Sequence, residues 1–209
     1  RISNANIGTT FSCTHIEPAT ESSKDVEAAK RVDTLLNRTF IEPILGLGYP
    51  QKDLPVLKKL NNYILEDDLN NLDFDFDFIG LQCYTREVVK SSMLIPYIGA
   101  ELVSAEKRNV ISTEMGWEVY PPALYHVLEK FNKYDGIKKI IITENGAAFP
   151  DTVTNGKVFD IKRTHYIQDH LEQILKAKKD GLNVEGYFVW SLTDNFEWAE
   201  GYNARFGLI

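Results

Sequence analysis

Four short apolar runs, rich in β-branched residues, alternate along this chain with longer stretches of helical periodicity. The runs are residues 7–13, 76–83, 140–143 and 184–190. Segments that are apolar at consecutive positions are typical of strands covered on both faces of a parallel sheet. Strands that alternate with helices form βα units, in which the helices cover the sheet. The chain therefore predicts an α/β fold built on a parallel sheet.

Apolar residues at helical spacing mark four further segments. They are residues 24–45, residues 52–69, the stretch between Pro122 and Gly136, and residues 160–179. Ser22 and Asp25 stand at the spacing of a capping box before the first of them. Asn155 and Gly156 predict a tight turn before the last. Since no short repeat, low-complexity tract or flexible linker interrupts this pattern, we expect residues 1–209 to form a single domain.

Composition narrows the possible partners. With 209 residues, of which 44% are hydrophobic, the chain can bury a sizeable core. Its net charge is −7 and its basic residues form no run longer than a lysine pair, which argues against nucleic acid and against an anionic membrane surface. No apolar stretch approaches the length of a membrane span.

The cysteines point to a reducing environment. Cys13 and Cys83, the only two, each lie at the end of an apolar run, as buried thiols do, and form no disulfide framework or zinc-binding pattern. On this ground we expect a cytoplasmic protein. The chain begins with Arg1, so we expect the natural N-terminus to lie upstream, and the lack of a leader peptide carries no weight.

Glu144 stands where the third apolar run ends, directly before an Asn-Gly pair that predicts a turn. In α/β barrels the catalytic residues lie at the C-terminal ends of the strands. A carboxylate there is costly to desolvate unless it is paired or used. The alternative interpretation is a solvated glutamate that opens a loop.

A second unusual segment, residues 190–207, follows the fourth run and combines tryptophans, other aromatic residues and carboxylates. Sugars present C–H faces to aromatic rings and hydroxyls to carboxylates, so this composition favours a sugar site. The alternative is an aromatic cluster packed beneath a loop.

Together, Thr143-Glu144-Asn145-Gly146 and residues 190–207 closely resemble the C-terminal half of glycoside hydrolase family 1, the β-glucosidase family. The resemblance covers essentially the whole chain. It implies a (β/α)8 TIM barrel, of which this chain would hold strands five to eight. A closed barrel needs eight units and typically about 250 residues, so we expect an incomplete barrel. The implied activity is retaining hydrolysis of small-molecule or oligosaccharide β-glycosides, without a cofactor.

The resemblance also implies roles for individual residues. Glu144 matches the nucleophile, which attacks the anomeric carbon and forms a covalent glycosyl-enzyme. Tyr84 matches a tyrosine whose hydroxyl contacts this nucleophile. Gln82 takes the place of a family asparagine and keeps an amide there, and Cys83 replaces a tyrosine.

Five more residues match positions that contact the substrate. Trp117 would line the outer, aglycone part of the pocket, and Trp190 would lie beneath the sugar. Glu197 would accept hydrogen bonds from two sugar hydroxyls, and Trp198 and Phe206 would form further walls. On chemistry alone Glu197 is a rival nucleophile, but the family pattern assigns it to binding. Because the run around Glu197 adds negative charge, we expect a neutral sugar rather than a 6-phospho sugar.

The family's acid/base carboxylate, which lies in an Asn-Glu-Pro motif on strand four, has no match. Glu17 and Glu42 each precede a proline, but both lack the asparagine and neither is expected to face the nucleophile. We therefore expect the isolated chain to lack efficient glycosidase activity and to need the family's N-terminal half or self-association. The alternative is a non-catalytic carbohydrate-binding remnant. A different barrel enzyme would require residues 190–206 to match by coincidence.

No metal site is predicted. Asp73, Asp75 and Asp77 alternate as in a calcium loop, but Phe78 stands where such a loop needs glycine. His165 and His170 are not spaced as a helical metal pair.

Overall fold

The computed structural model describes residues 4–209 of the protein. The strands, in chain order, are β1 (Gly8–Ser12), β2 (His15–Pro18), β3 (Phe78–Gln82), β4 (Arg86–Ser91), β5 (Ala100–Leu102), β6 (Ile140–Asn145), β7 (Val153–Thr154), β8 (Lys157–Val158) and β9 (Val184–Val189). The α-helices are α1 (Ser23–Asp33), α2 (Thr39–Ile44), α3 (Asp68–Leu72), α4 (Ala105–Arg108), α5 (Pro122–Phe131) and α6 (Ile161–Lys179). A π-helical turn, Thr34–Arg38, joins α1 to α2, and 3₁₀ turns cover Pro55–Asn62 and Trp198–Glu200.

The main sheet consists of β1, β3, β6 and β9 in that order, and every neighbouring pair is parallel. These strands are the four predicted apolar runs, so the α/β fold with a parallel sheet is confirmed. One face of the sheet carries Leu81, Ile140 and Ile142, which are buried in a core with Leu124 and Phe131 of α5. Because the strands run the same way, their C-terminal ends meet at one edge of the sheet.

The first predicted helical segment is present as α1, the π-helical turn and α2 in succession. Ser22 caps α1 by accepting a hydrogen bond from the Asp25 amide at 3.3 Å. The Asp25 carboxylate does not return this bond, because it accepts hydrogen bonds from Thr20 and from the Ser91 amide instead. Only half of the capping box therefore forms. The predicted helices after Pro121 and after Asp160 are confirmed as α5 and α6.

Residues 52–69 do not form one amphipathic helix, and that prediction was wrong. The chain makes the 3₁₀ turn, an irregular stretch and the short helix α3 instead. Leu57 is the only buried residue of the turn, whereas the side chains of Tyr63 and Leu65 are 80% and 72% exposed. A helix gains most of its stability from packing its apolar face, and this segment has little to pack against.

A second sheet, β2-β4-β5, was not predicted. It lies under α1, where Ala28, Ala29 and Val32 pack against Val89 and Ala100. It extends the chain beyond the C-terminal ends of β1 and β3, and so builds one rim of the main sheet's edge.

The predicted turn at Asn155 and Gly156 joins β7 to β8, with φ angles of 52° and 73°. Positive φ at both positions is the conformation that two-residue hairpins favour. Within residues 4–209, no helix combines the length and the apolar character needed to cross a membrane.

Candidate active site

Glu144 lies at the C-terminal edge of the main sheet, and both of its carboxylate oxygens accept hydrogen bonds. Gln82, opposite it on β3, donates its amide to Oε1 at 2.8 Å. Tyr84 donates its hydroxyl to Oε2 at 2.6 Å, the short distance typical of a bond from a hydroxyl to a charged oxygen. The structure thus brings together the three residues that the sequence places at the centre of the site.

Tyr84 is held as a permanent donor to this carboxylate. Burial raises the pKa of the Tyr84 phenol well above its usual value, and the hydrogen bond to Glu144 raises it further. The charge of Glu197 raises the same pKa by a smaller amount, so the field of this second carboxylate also reaches the Tyr84 hydroxyl. The phenol therefore stays protonated throughout the physiological pH range.

Asn145 supports the site from beneath, a role that the sequence did not reveal. It is fully buried, and its amide donates to the Cys83 carbonyl at 2.7 Å and to the Tyr166 hydroxyl at 3.1 Å. Its side-chain oxygen accepts from Tyr187 at 2.8 Å. Tyr166 in turn donates to the carbonyl of Tyr84 at 2.8 Å. Asn145 thereby ties β3, β6, β9 and α6 together behind the carboxylate.

The expected turn at Asn145 and Gly146 does not form, because Asn145 is the last residue of β6. Gly146 serves a different purpose. A Cβ at this position would lie 1.9 Å from the Trp190 carbonyl oxygen. The glycine therefore allows the segment after β6 to pass directly against the segment after β9.

Aromatic rings form a wall beside Tyr84. The Tyr84 ring centroid is 5.2 Å from that of Trp117 and 6.2 Å from that of Phe206, which is 2% exposed. Trp190 packs against the same cluster. Trp198 does not join it, because its side chain is 85% exposed on the 3₁₀ turn that follows Glu197.

Glu197 and Trp190 are in contact. The indole Nε1 of Trp190 donates to Glu197 Oε2 at 3.3 Å, and the amide of Asn195 donates to the same oxygen at 3.1 Å. Both of these bonds go to Oε2, and among residues 4–209 no hydrogen bond is made to Oε1 of Glu197. Asn195, which orients the carboxylate, was not singled out in the sequence.

An ion-pair cluster holds the loop that carries Trp117. Glu118 is 5% exposed and receives two hydrogen bonds from Arg86, both at 2.9 Å, and one from Arg108 at 2.6 Å. The Thr85 hydroxyl donates to the Glu118 carbonyl at 2.9 Å. The residues next to Tyr84 and Trp117 are thus joined, which fixes the two rings relative to each other.

Both other glutamates that precede a proline are engaged elsewhere. Glu17 lies in β2 and pairs with Arg86. Glu42 lies in α2, where it pairs with Arg38 at 2.5 Å and accepts from Tyr134 at 3.0 Å. Neither belongs to the hydrogen-bonded group around Glu144. Cys13 and Cys83 are buried free thiols, as predicted.

His170 lies in α6, fully buried against Tyr166, whose ring it stacks on at 3.9 Å. Its Nδ1 lies 2.7 Å from the Tyr166 carbonyl oxygen. Since a carbonyl only accepts, Nδ1 carries the proton. Burial lowers the pKa of His170 to about 4, so the ring is neutral at pH 7.

Comparison with known proteins gives a consistent result. The sequence model of glycosyl hydrolase family 1 matches residues 1–209. The chain is 39% identical over 210 residues to 1,4-beta-D-glucan glucohydrolase of Thermotoga neapolitana, and covers 48% of it. It is 38% identical over 209 residues to Beta-glucosidase A of Acetivibrio thermocellus, and covers 46% of it. The chain therefore spans about half the length of the curated relatives it matches.

A solved structure shares the fold as well. The family 1 β-glucosidase of Thermotoga maritima superposes with a TM-score of 0.89 at 37% identity, over 98% of this chain and 46% of that one. The likeness therefore extends over the whole of this chain and about half of the relative.

Proposed function

This chain belongs to glycosyl hydrolase family 1, and we propose that it takes part in the hydrolysis of terminal β-linked sugars by the retaining, β-glucosidase-type route. The observation that carries the proposal is Glu144, at the C-terminal edge of a parallel sheet, with Gln82 and Tyr84 donating to its two oxygens. The names of the relatives, which are glucosidases and a glucan glucohydrolase, favour this over a carbohydrate-binding remnant.

In this proposal Glu144 attacks the anomeric carbon and forms a covalent glycosyl-enzyme, which water then hydrolyses. Gln82 and Tyr84 aim the carboxylate, and each holds one oxygen, so that the attacking lone pair has a defined direction. The bond from Tyr84 is released as charge leaves Glu144, and the phenol keeps its proton throughout.

Substrate contacts follow from the same geometry. Trp190 offers its ring to the apolar face of the sugar, and Oε1 of Glu197 is free to accept from hydroxyls. Trp117 and Phe206 close the side of the pocket next to Tyr84. Trp198 is exposed and would complete the wall when a ligand lies against it. We propose a neutral sugar, because the carboxylates around Trp198 would repel a phosphate.

We further propose that β1, β3, β6 and β9 are strands five to eight of a (β/α)8 barrel. Within the described residues, the outer edges of β1 and β9 pair with no further strand. The family's N-terminal half, or a second copy of the chain, would cover them. In the family the acid/base carboxylate belongs to strand four, so the 209-residue chain alone should hydrolyse unactivated glycosides poorly.

Covalent trapping tests the proposal without an acid. A 2-deoxy-2-fluoro-β-glucoside with a good leaving group needs little protonation, so a working nucleophile should still be labelled. Intact-mass spectrometry should show one adduct per chain, and peptide mapping should place it on Glu144. Glu144→Gln should remove the adduct, whereas Glu172→Gln, an exposed glutamate on α6, should keep it. No adduct, or an adduct on Glu197, would overturn the assignment.

A further inference from the structure

Arg163, the third residue of α6, is a buried cation that lies behind the candidate site. Its side chain is only 3% exposed, and arginine is almost never fully buried unless it is paired. The guanidinium donates to the Asp160 carboxylate, and the Asp151 carboxylate lies 3.9 Å from Nη2. These two acidic side chains balance the buried charge, so the remaining N–H groups of Arg163 can bind uncharged acceptors.

Those groups bind two backbone carbonyls on separate segments. Nε donates to the Ala147 carbonyl at 3.1 Å, and Nη2 donates to the Arg205 carbonyl at 2.8 Å. Ala147 lies three residues after Glu144, in the segment that leaves β6. Arg205 directly precedes Phe206, in the segment that follows β9. Because a guanidinium is planar and holds its donors in a fixed fork, it sets the spacing between these two segments.

A second link joins the same two segments nearer the surface. Arg205 donates from Nη2 to the Asp151 carbonyl at 2.8 Å, and it pairs with the Asp151 carboxylate. The Arg205 side chain is 42% exposed, whereas that of Arg163 is 3% exposed. Exposed ion pairs contribute little, because water screens the charges and the side chains lose entropy. Arg163 is therefore the stronger of the two links.

The segment that follows β9 is thereby held at both of its ends. At its start, the Trp190 amide donates to the Asn145 carbonyl of β6 at 2.9 Å. At its far end, the Arg205 carbonyl is bound to the guanidinium on α6. Glu197 lies between these two anchors, in a stretch whose regular structure is a single 3₁₀ turn. The position of Glu197 relative to the proposed nucleophile therefore depends on both anchors.

Bonds within the segment carry a shift of its far end toward Glu197. The Ser191 amide donates to the Phe206 carbonyl at 3.2 Å. The Gly207 amide donates to the Asp194 carboxylate at 2.8 Å. Since Asp194 is three residues before Glu197, the far end and the stretch that carries Glu197 are joined directly.

We propose that Arg163 is a positioning residue that acts through Glu197 to place the sugar over Glu144. By holding the far end of the segment, it fixes where Glu197, and so the sugar hydroxyls bound to it, lies relative to the nucleophile. A displacement of about 1 Å can lower a reaction rate roughly 100-fold, even when the reacting groups are unchanged. This inference rests on the proposed function, because it takes Glu144 as the nucleophile and Glu197 as a sugar-binding residue.

A double-mutant cycle on covalent trapping tests this role. Mass spectrometry of chains treated with the 2-deoxy-2-fluoro-β-glucoside gives the second-order rate constant of labelling. Arg163→Met should lower this rate constant about ten-fold or more in the unaltered chain. In a Glu197→Gln background the same change should lower it less than about three-fold, because the residue through which Arg163 acts is already impaired. Lys179→Met, which removes an exposed cation at the other end of α6, should change neither value.

The outcomes separate this role from a purely structural one and from the proposed function. An arginine that served stability alone would lower labelling equally in both backgrounds, so equal losses overturn the inference. Unchanged labelling in Arg163→Met overturns it as well, while labelling of Glu144 in the unaltered chain keeps the proposed function. If the unaltered chain is not labelled, the proposed function fails and this inference fails with it. Should Arg163→Met fail to fold by circular dichroism, Arg163→Lys decides by the same cycle, because it keeps the buried charge but lacks the planar fork.

Discussion

The hydrogen bond from Tyr84 to Glu144 makes a prediction that can be measured without turnover. The perturbation is Tyr84→Phe, made in the unaltered chain and in a Glu144→Met variant. Phenylalanine keeps the ring that packs at 5.2 Å from Trp117 and 6.2 Å from Phe206. The contribution of aromatic packing should therefore be the same in both backgrounds and cancel when they are compared. What remains in the difference between the two backgrounds is the coupling between the hydroxyl and the carboxylate.

The expected size follows from the geometry. A hydrogen bond to a charged group contributes about 1.5–3 kcal/mol. This one is 2.6 Å long and partly buried, which favours a high value. Gln82 remains bound to the other oxygen at 2.8 Å, so Glu144 keeps one partner when the Tyr84 hydroxyl is removed. This favours a value at the low end of the range. We expect a coupling free energy of about 1.5–2 kcal/mol.

The assay is urea unfolding of the four proteins, followed by tryptophan fluorescence at pH 7. In the unaltered chain Tyr84→Phe should also lower the melting temperature by roughly 3–8 °C, since 1 kcal/mol shifts a chain of this size by roughly 2–4 °C. In the Glu144→Met background the same change should be nearly neutral, because the hydroxyl has lost its acceptor. A coupling below about 0.5 kcal/mol would refute the argument that this bond holds the carboxylate.

Three further predictions test other parts of the structure. The folded-state pKa of His170 is about 4, below its unfolded value of 6.5, so the unfolded chain binds more protons between these values. The free energy of unfolding should therefore fall by roughly 3 kcal/mol as pH drops through this window. In His170→Phe this fall should be absent when urea titrations at pH 7 and 4.5 are compared. Gly146→Ala would place a Cβ 1.9 Å from the Trp190 carbonyl and should cost about 3 kcal/mol in the same assay; wild-type stability would contradict the contact. Phe206→Ala should cost about 3–5 kcal/mol, whereas Trp198→Ala should stay within about 0.5 kcal/mol and weaken only sugar binding, and the reverse order would contradict the burial of the two rings.

The main sheet could be predicted because each strand carries its own signal. Ile140, Ile141 and Ile142 are apolar and β-branched whatever they pair with, and the run is too short for a helix. The second sheet could not be predicted in this way. In β2, His15 and Glu17 read as loop residues, and they become a strand only through pairing with β4, which lies far away in the chain.

The same distinction, between residues with a local sequence signal and residues that depend on distant partners, applies to the candidate site. The contact between Tyr84 and Glu144 could be predicted from motifs, because each of the two residues stands at the end of an apolar run. The supporting residues could not. Asn145 carries the local signal of a turn, yet its partners on other elements, Cys83, Tyr166 and Tyr187, hold it in a strand.

Even the direction of Glu144 depends on the pairing of strands rather than on its own strand. Ile140 and Ile142 face the core beneath α5, so strict alternation would turn Glu144 toward that apolar layer as well. The register between β3 and β6 shifts here, because Leu81 pairs with Ile142 whereas the next residue, Gln82, pairs with Glu144. One extra residue in β6 thereby moves Glu144 to the opposite face, beside Gln82 and within reach of Tyr84. Bulges of this kind re-aim side chains next to active sites. The same run of isoleucines that anchors the strand in the core would bury this carboxylate without the bulge, so the irregularity is what makes Glu144 available for chemistry.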